Sequence, residues 1–134
     1  MPVNVWGYLQ EYEAEREEIL AAVSDVLGSG KLILGPHVAA FEEEFAAYCD
    51  AKHGVGCDNG TNAVMLALLA CGLAPGDEVL TVSNTAVPTV SAIASAGGAP
   101  RFVDIAPATY LMDTDRLEAA VTPRTRAVVA VHLF

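Results

Sequence analysis

Basic residues are scarce. Two lysines (Lys31, Lys52) and five arginines stand against 17 Asp+Glu, for a formal net charge of -10 over 134 residues. So acidic a chain does not suit nucleic acid or an anionic membrane surface, both of which select for Lys and Arg. Long apolar runs are also missing. Gly, Pro or polar residues interrupt each one, so no stretch of about 20 residues is fit to span a bilayer. The first ten residues lack the basic start of a signal peptide. Cysteine is sparse: Cys49, Cys57 and Cys71 show no CxxC spacing and read as reduced, mostly buried thiols of a cytoplasmic protein. His37, His53 and His132 are too dispersed to suggest a metal site. No Ser-His-Asp set and no paired carboxylates stand out. What the chain has in abundance is apolar residues, 53% with only 7% aromatic, which excludes a disordered chain.

Periodicity organises those residues. Segment 11–27 is acidic at its start and apolar at Ile19, Leu20, Val23, Val26 and Leu27, one face of a helix that Gly28 and Gly30 stop. Gly35-Pro36 opens a second helix, with proline where the first turn tolerates it. Its expected buried face is Val38, Phe41, Phe45 and Tyr48, and Glu42–Glu44 read as solvated. Residues 54–57 read as a strand, 63–73 as a helix apolar nearly all round and hence buried, and 78–82 as a strand after the Pro75-Gly76-Asp77 turn. A small-residue helix ending at Gly97-Gly98, a strand over 101–105, a helix capped by Asp113, and a long apolar strand over 125–134 complete the pattern. Alternating strands and helices predict an α/β fold with a mostly parallel sheet. The last run belongs inside a sheet, and nothing after it would cover it. The expectation is therefore a truncated domain with an exposed sheet edge, prone to aggregation or dependent on a partner.

In such sheets ligands bind beyond the carboxyl ends of the strands. The first of these ends is Asp58-Asn59-Gly60-Thr61-Asn62. Gly60 allows close approach, the amides of Gly60, Thr61 and Asn62 are donors at a helix start, and the Thr61 hydroxyl adds another. This is a phosphate cradle or an ordinary helix cap. It is neither a P-loop nor GxGxxG. The second end, 83–89, is again polar residues meeting a helix start and should lie beside the first. Asp104 reads as a loop cap, and His132 as a core residue. Neither lysine is placed to act as an imine-forming nucleophile.

The motifs SGKLILGP (29–36), FEEEFAAY (41–48), DNGTNA (58–63), PGDEV (75–79), FVDI (102–105), TPRT (122–125) and VHLF (131–134), in this order, resemble the N-terminal part of the DegT/DnrJ/StrS sugar aminotransferases. The resemblance covers almost the whole chain. It implies the large domain of a fold-type I pyridoxal phosphate (PLP) enzyme, a homodimer with sites at the subunit interface. Residues 1–134 would supply the N-terminal segment and the first part of that domain, without the rest of it and without the small domain. The reaction implied is transfer of an amino group, commonly from glutamate, to a nucleotide-linked keto sugar in amino-sugar biosynthesis. Carried over by motif, Gly60 and Thr61 hold the cofactor phosphate with Asn62 adjacent. Ala86 takes the position of an aromatic that stacks on the ring in many members, and Thr89 borders the pocket. The family's Asp at the pyridine nitrogen and its Schiff-base lysine fall beyond these motifs. The resemblance therefore implies that the chain alone is inactive. Two alternatives stay open: a dehydratase of the same family with histidine for that lysine, and a catalytically dead short subunit.

Overall fold

The computed structural model describes residues 7–133. The start of the signal-peptide reading (1–6) and the end of the last apolar run (Phe134) lie outside them. The chain forms two compact units, one ending at Gly56 and the other beginning at Cys57.

In the first unit, helix α1 (Tyr8–Ser29) runs through Gly28 and stops at Gly30, whose φ of 69° is the left-handed ending that glycine adopts without a Cβ penalty. Helix α2 (Pro36–Tyr48) opens with Gly35 before it and proline in its first turn. The two helices are joined by His37 Nε2 and Asp25 Oδ2, 2.8 Å apart. The expected apolar faces are not buried within this unit. Phe41, Phe45 and Tyr48 are 58%, 53% and 87% exposed and stack on one another, and Ala46 is the one buried residue of α2. The helical spacing was right, but no described element of the unit covers that face.

The strand expected at 54–57 does not form. Gly56 N–H donates instead to Glu42 Oε1 at 2.6 Å, so Glu42 is a tether and not part of a solvated face. The segment lies so close to α2 that a Cβ on Gly54 would sit 2.5 Å from the Glu42 carbonyl oxygen. That neighbour is backbone and cannot swing away. Gly54→Ala is expected to destabilise by about 1–3 kcal/mol, the usual range for overpacking. Urea titration reads the loss, and faster hydrogen exchange at Gly56 N–H locates it. Unchanged exchange would contradict the close approach.

The second unit is built on a three-stranded parallel sheet in the order β2-β1-β3, from β1 (Glu78–Val82), β2 (Ala99–Val103) and β3 (Thr125–Val128). The α/β, parallel expectation holds. Strand β1 is central and buried throughout, whereas β2 and β3 are largely exposed edges. Strand β3 is shorter than the apolar run suggested. Its pairing with β1 ends at Val128 beside Leu80, two residues short of the end of β1, and past Val128 only Val129 N–H→Leu80 O (2.8 Å) and Thr81 Oγ1–H→Val129 O (3.1 Å) extend the contact among the described residues.

Helices α3 (Gly60–Ala70) and α4 (Val87–Ser95) pack on each other, and α5 (Thr114–Ala120) follows Asp113, whose carboxylate caps Asp115 N–H at 3.1 Å as expected. The core unites Leu68 of α3, Leu73, Val79 of β1, and Ile93 with Ala96 at the end of α4. Helix α3 is less buried than its composition suggested: Leu68 is inside, while Leu66 and Leu69 are exposed. The cysteines also depart from expectation. All three are exposed, because each sits at a helix end or in the approach to one.

One charged group enters this unit's interior. The Glu78 side chain, 7% exposed, accepts from Thr122 Oγ1–H at 2.7 Å and from Nε and an η-nitrogen of Arg124, with Arg101 4.0 Å away. The cluster ties the turn before β3 and an arginine of β2 to the first residue of β1. The hydrogen bond from Thr122, then that from Arg124, holds the Glu78 carboxyl below its ordinary pKa of 4.5, aided by the charges of Arg124 and Arg101 and opposed by burial. A lowered carboxyl pKa stabilises the fold fully above the ordinary value, and that stability is lost as pH falls through the lowered one. Melting temperature is therefore expected to fall with acid below pH 4.5. Glu78→Gln should melt lower at neutral pH and show a flatter acid limb. An unchanged limb would remove Glu78 from acid unfolding.

Candidate phosphate site at the carboxyl edge of the sheet

Helix direction decides which end of the sheet is polar. Arg126, in β3, donates from an η-nitrogen to Cys71 O at 3.1 Å, so the C-terminus of α3 lies at the amino edge of the parallel strands. The N-terminus of α3 must then lie toward the carboxyl edge. Helix α4 starts at that edge too, because it leaves the end of β1. The two helix starts expected to be neighbours thus share one edge.

At the start of α3, Asn59 is extended (φ -162°) and its Oδ1 accepts from Asn62 N–H at 3.0 Å. Asp58 fixes both asparagines, accepting from Asn59 Nδ2 at 2.9 Å and from Asn62 Nδ2 at 2.8 Å. The cap and the cradle therefore divide the loop between them. Asn62 is committed to the cap through backbone and side chain, and the expectation of a third free amide is corrected. The N–H groups of Gly60 and Thr61 have no partner among the described residues, and neither does the Thr61 hydroxyl. Two free donors at the positive end of an 11-residue helix favour an anion. Asp58 adds a negative charge nearby, but both of its oxygens already accept N–H groups, which spreads that charge.

Gly60 is informative for a second reason. A Cβ there would meet no atom within 4 Å, and its φ is outside the left-handed range. Neither packing nor backbone strain requires glycine at this position. What glycine preserves is open space against the free amides, which is the room an oxyanion needs.

The second loop offers fewer donors than the sequence suggested. Ala86 caps α4 without a side-chain bond, Pro88 has no N–H, and Thr89 N–H is used by Ala86 O at 3.0 Å. The hydroxyls of Thr85 and Thr89 lie 2.8 Å apart and satisfy each other. Ala86 is exposed and presents only a methyl group. Asp104 does act as a loop cap, accepting from Ile105 N–H at 2.9 Å with Arg116 3.5 Å away. His132 is exposed and not a core residue, lying past the end of the last strand. Sequence reasoning placed two further residues in these loops but missed what each does. One is Asp58, which the i, i+4 spacing to Asn62 could have revealed. The other is Asn84, whose Nδ2 is buried without a partner and leaves no sequence signal. No group of three or more His, Cys, Asp or Glu that could hold a metal occurs among the described residues. No helix among them is long and apolar enough to cross a membrane.

Comparison with known proteins bears on this edge. The model of the DegT/DnrJ/EryC1/StrS aminotransferase family matches residues 13–134. A dTDP-3-amino-3,4,6-trideoxy-alpha-D-glucose transaminase of Micromonospora megalomicea subsp. nigra is 59% identical over 134 residues, which is 100% of this chain and 36% of that protein. The crystal structure of DesV from S. venezuelae, in complex with a ketimine intermediate, superposes with a TM-score of 0.90 at 42% identity, covering 93% of this chain and 34% of that one. NtdA from Bacillus subtilis, solved with bound cofactor PMP, has a TM-score of 0.86 at 40% identity over 90% of this chain and 28% of its own. The chain spans about a third of the length of these relatives.

Proposed function

The chain belongs to the DegT/DnrJ/EryC1/StrS aminotransferase family, and from that premise we propose that it supplies the phosphate-binding edge of a PLP-dependent aminotransferase that aminates a nucleotide-linked keto sugar. The observation that carries this reading is the pair of free amides at Gly60 and Thr61, beside open space at Gly60 where even an added Cβ would meet no atom within 4 Å. The residues present fit a phosphate monoester. The amides of Gly60 and Thr61 and the Thr61 hydroxyl donate to its oxygens, and Asn62 holds the helix start in shape from within the cap. Ala86 and Thr89 border the ring. With a methyl group in place of an aromatic, Ala86 contributes little stacking, so affinity rests on the phosphate end. PLP, when bound, supplies the electron sink and nitrogen carrier that transamination needs.

Residues 1–134 are, on this reading, the N-terminal segment and first part of the large domain. The amino donor is glutamate and the working unit a homodimer in the cytoplasm. The relatives' names support the substrate class, since the transaminase from Micromonospora is named for a dTDP-linked amino sugar.

Titrating the chain with PLP, followed by absorbance of the ring and repeated with inorganic phosphate as competitor, tests the reading. Saturable binding that phosphate displaces is expected. Binding that phosphate leaves untouched would place the cofactor's anion somewhere other than Gly60 and Thr61 and overturn the assignment.

A further inference from the structure

The carboxyl end of the central strand holds a polar group that folding leaves unsatisfied. Asn84 follows β1 by two residues. Its Nδ2 is shut off from solvent and has no hydrogen-bond partner. Buried polar side-chain atoms are paired in the large majority of cases, and an unpaired donor keeps the full cost of its desolvation. Asn84 is the one residue among the described ones with a side-chain nitrogen or oxygen in this condition. Its neighbours do not account for it. Thr85 and Thr89 are occupied with each other at 2.8 Å, and Ser83 is exposed. The residue as a whole is only partly buried, so the amide stands at the boundary between the interior and the open strand end. Its terminal torsion is broad, and the NH2 swings toward that end at small cost.

Unsatisfied polar groups cluster where a ligand completes them, and in open α/β sheets that place is the carboxyl edge. We infer that Asn84 is a further ligand-binding residue, which turns outward to donate from Nδ2 to an oxygen acceptor of the molecule held at Gly60 and Thr61. This rests on the function proposed above. The acceptor is a phosphate oxygen or an oxygen on the cofactor ring; the shared chemistry is a hydrogen-bond acceptor that is anionic or strongly polarised.

A ligand role and a structural role predict opposite signs. If Asn84 held the fold together, replacing it would lower the melting temperature of the ligand-free chain. If it waits for a ligand, Asn84→Leu, apolar and of similar size, removes an unpaired donor and leaves that temperature unchanged or higher, while the PLP dissociation constant rises about tenfold. Asn84→Ala provides the same comparison should leucine not be accommodated. Inorganic phosphate is titrated in parallel: an equal loss identifies a phosphate oxygen as the acceptor, and a loss confined to PLP identifies the ring. Thr61→Ala separates the two readings. If it weakens PLP binding while the Asn84 variants bind as the parent does, the Asn84 inference falls and the proposed function stands. A lower melting temperature in ligand-free Asn84→Leu and Asn84→Ala alike also overturns the inference. If the parent chain binds neither PLP nor phosphate, both fall together.

Discussion

Ile93→Ala is expected to lower the stability of the second unit by about 2–5 kcal/mol, the range for removing a large aliphatic group from a packed core. Ile93 is fully buried and meets Leu68, Leu73, Val79 and Ala96, so it joins both helices to the central strand. The site offers little room to collapse. Val79 is fixed in the middle strand, and Gly98 passes so near that a Cβ on it would stand 3.4 Å from Ile93 Cγ2. The cavity would therefore persist, placing the loss in the upper part of the range. A loss of this size is a large fraction of the stability of an ordinary domain, about 5–15 kcal/mol. Val87→Ala on the same helix, at a residue 76% exposed, is the control and should stay within about 0.5 kcal/mol. Urea titration followed by circular dichroism gives both numbers. Equal effects at the two positions would mean that the cluster is not the core of this unit.

The sequence made the second unit legible where each element carried its own start, period and stop. Strand β1 was placed at its observed bounds because five residues lie between a Pro-Gly-Asp turn and a polar loop. Helix α5 was placed because Asp113 caps it. Reading failed where an outcome depended on a neighbour. Residues 54–57 have the composition of a strand, but hydrogen bonding needs a partner, and Glu42 takes the Gly56 amide instead. The 125–134 run is apolar enough for a long strand, yet its pairing with β1 ends at Val128 beside Leu80, two residues before β1 itself stops. The ladder of Phe41, Phe45 and Tyr48 shows the same limit in the first unit, since periodicity identifies a face but not what covers it. At the candidate site, local sequence identified the donors and could not apportion them. Only the geometry divides the loop into a cap built on Asp58, Asn59 and Asn62 and a free pair at Gly60 and Thr61. The cap and cradle readings, which the sequence left as rivals, are two halves of one turn.

That division leads to the largest expected effect at the site. Thr61 occupies the second position of α3, where a carboxylate interacts favourably with the helix dipole by about 0.3–1 kcal/mol. Thr61→Asp is therefore expected to leave α3 intact or slightly stabilised. The same carboxylate would face any phosphate held at the free amides. Two like charges 4 Å apart repel by about 4 kcal/mol at an effective dielectric constant of about 20. Partial exposure and salt reduce that figure, so a hundredfold weaker PLP affinity, roughly 2.7 kcal/mol, is the expected result. Thr61→Ser keeps the hydroxyl and both amides and should bind within about threefold of the parent, roughly 0.65 kcal/mol and well under the about 1.5–3 kcal/mol of one hydrogen bond to a charged group. The pair of readouts separates the two halves of the turn. A residue that serves the helix alone would give a more stable Thr61→Asp chain with PLP affinity unchanged, and that outcome would return the loop to an ordinary cap. Gained stability together with lost affinity has no explanation in capping. It requires an anion at Gly60 and Thr61, bound by the donors that Asn59 and Asp58 leave free.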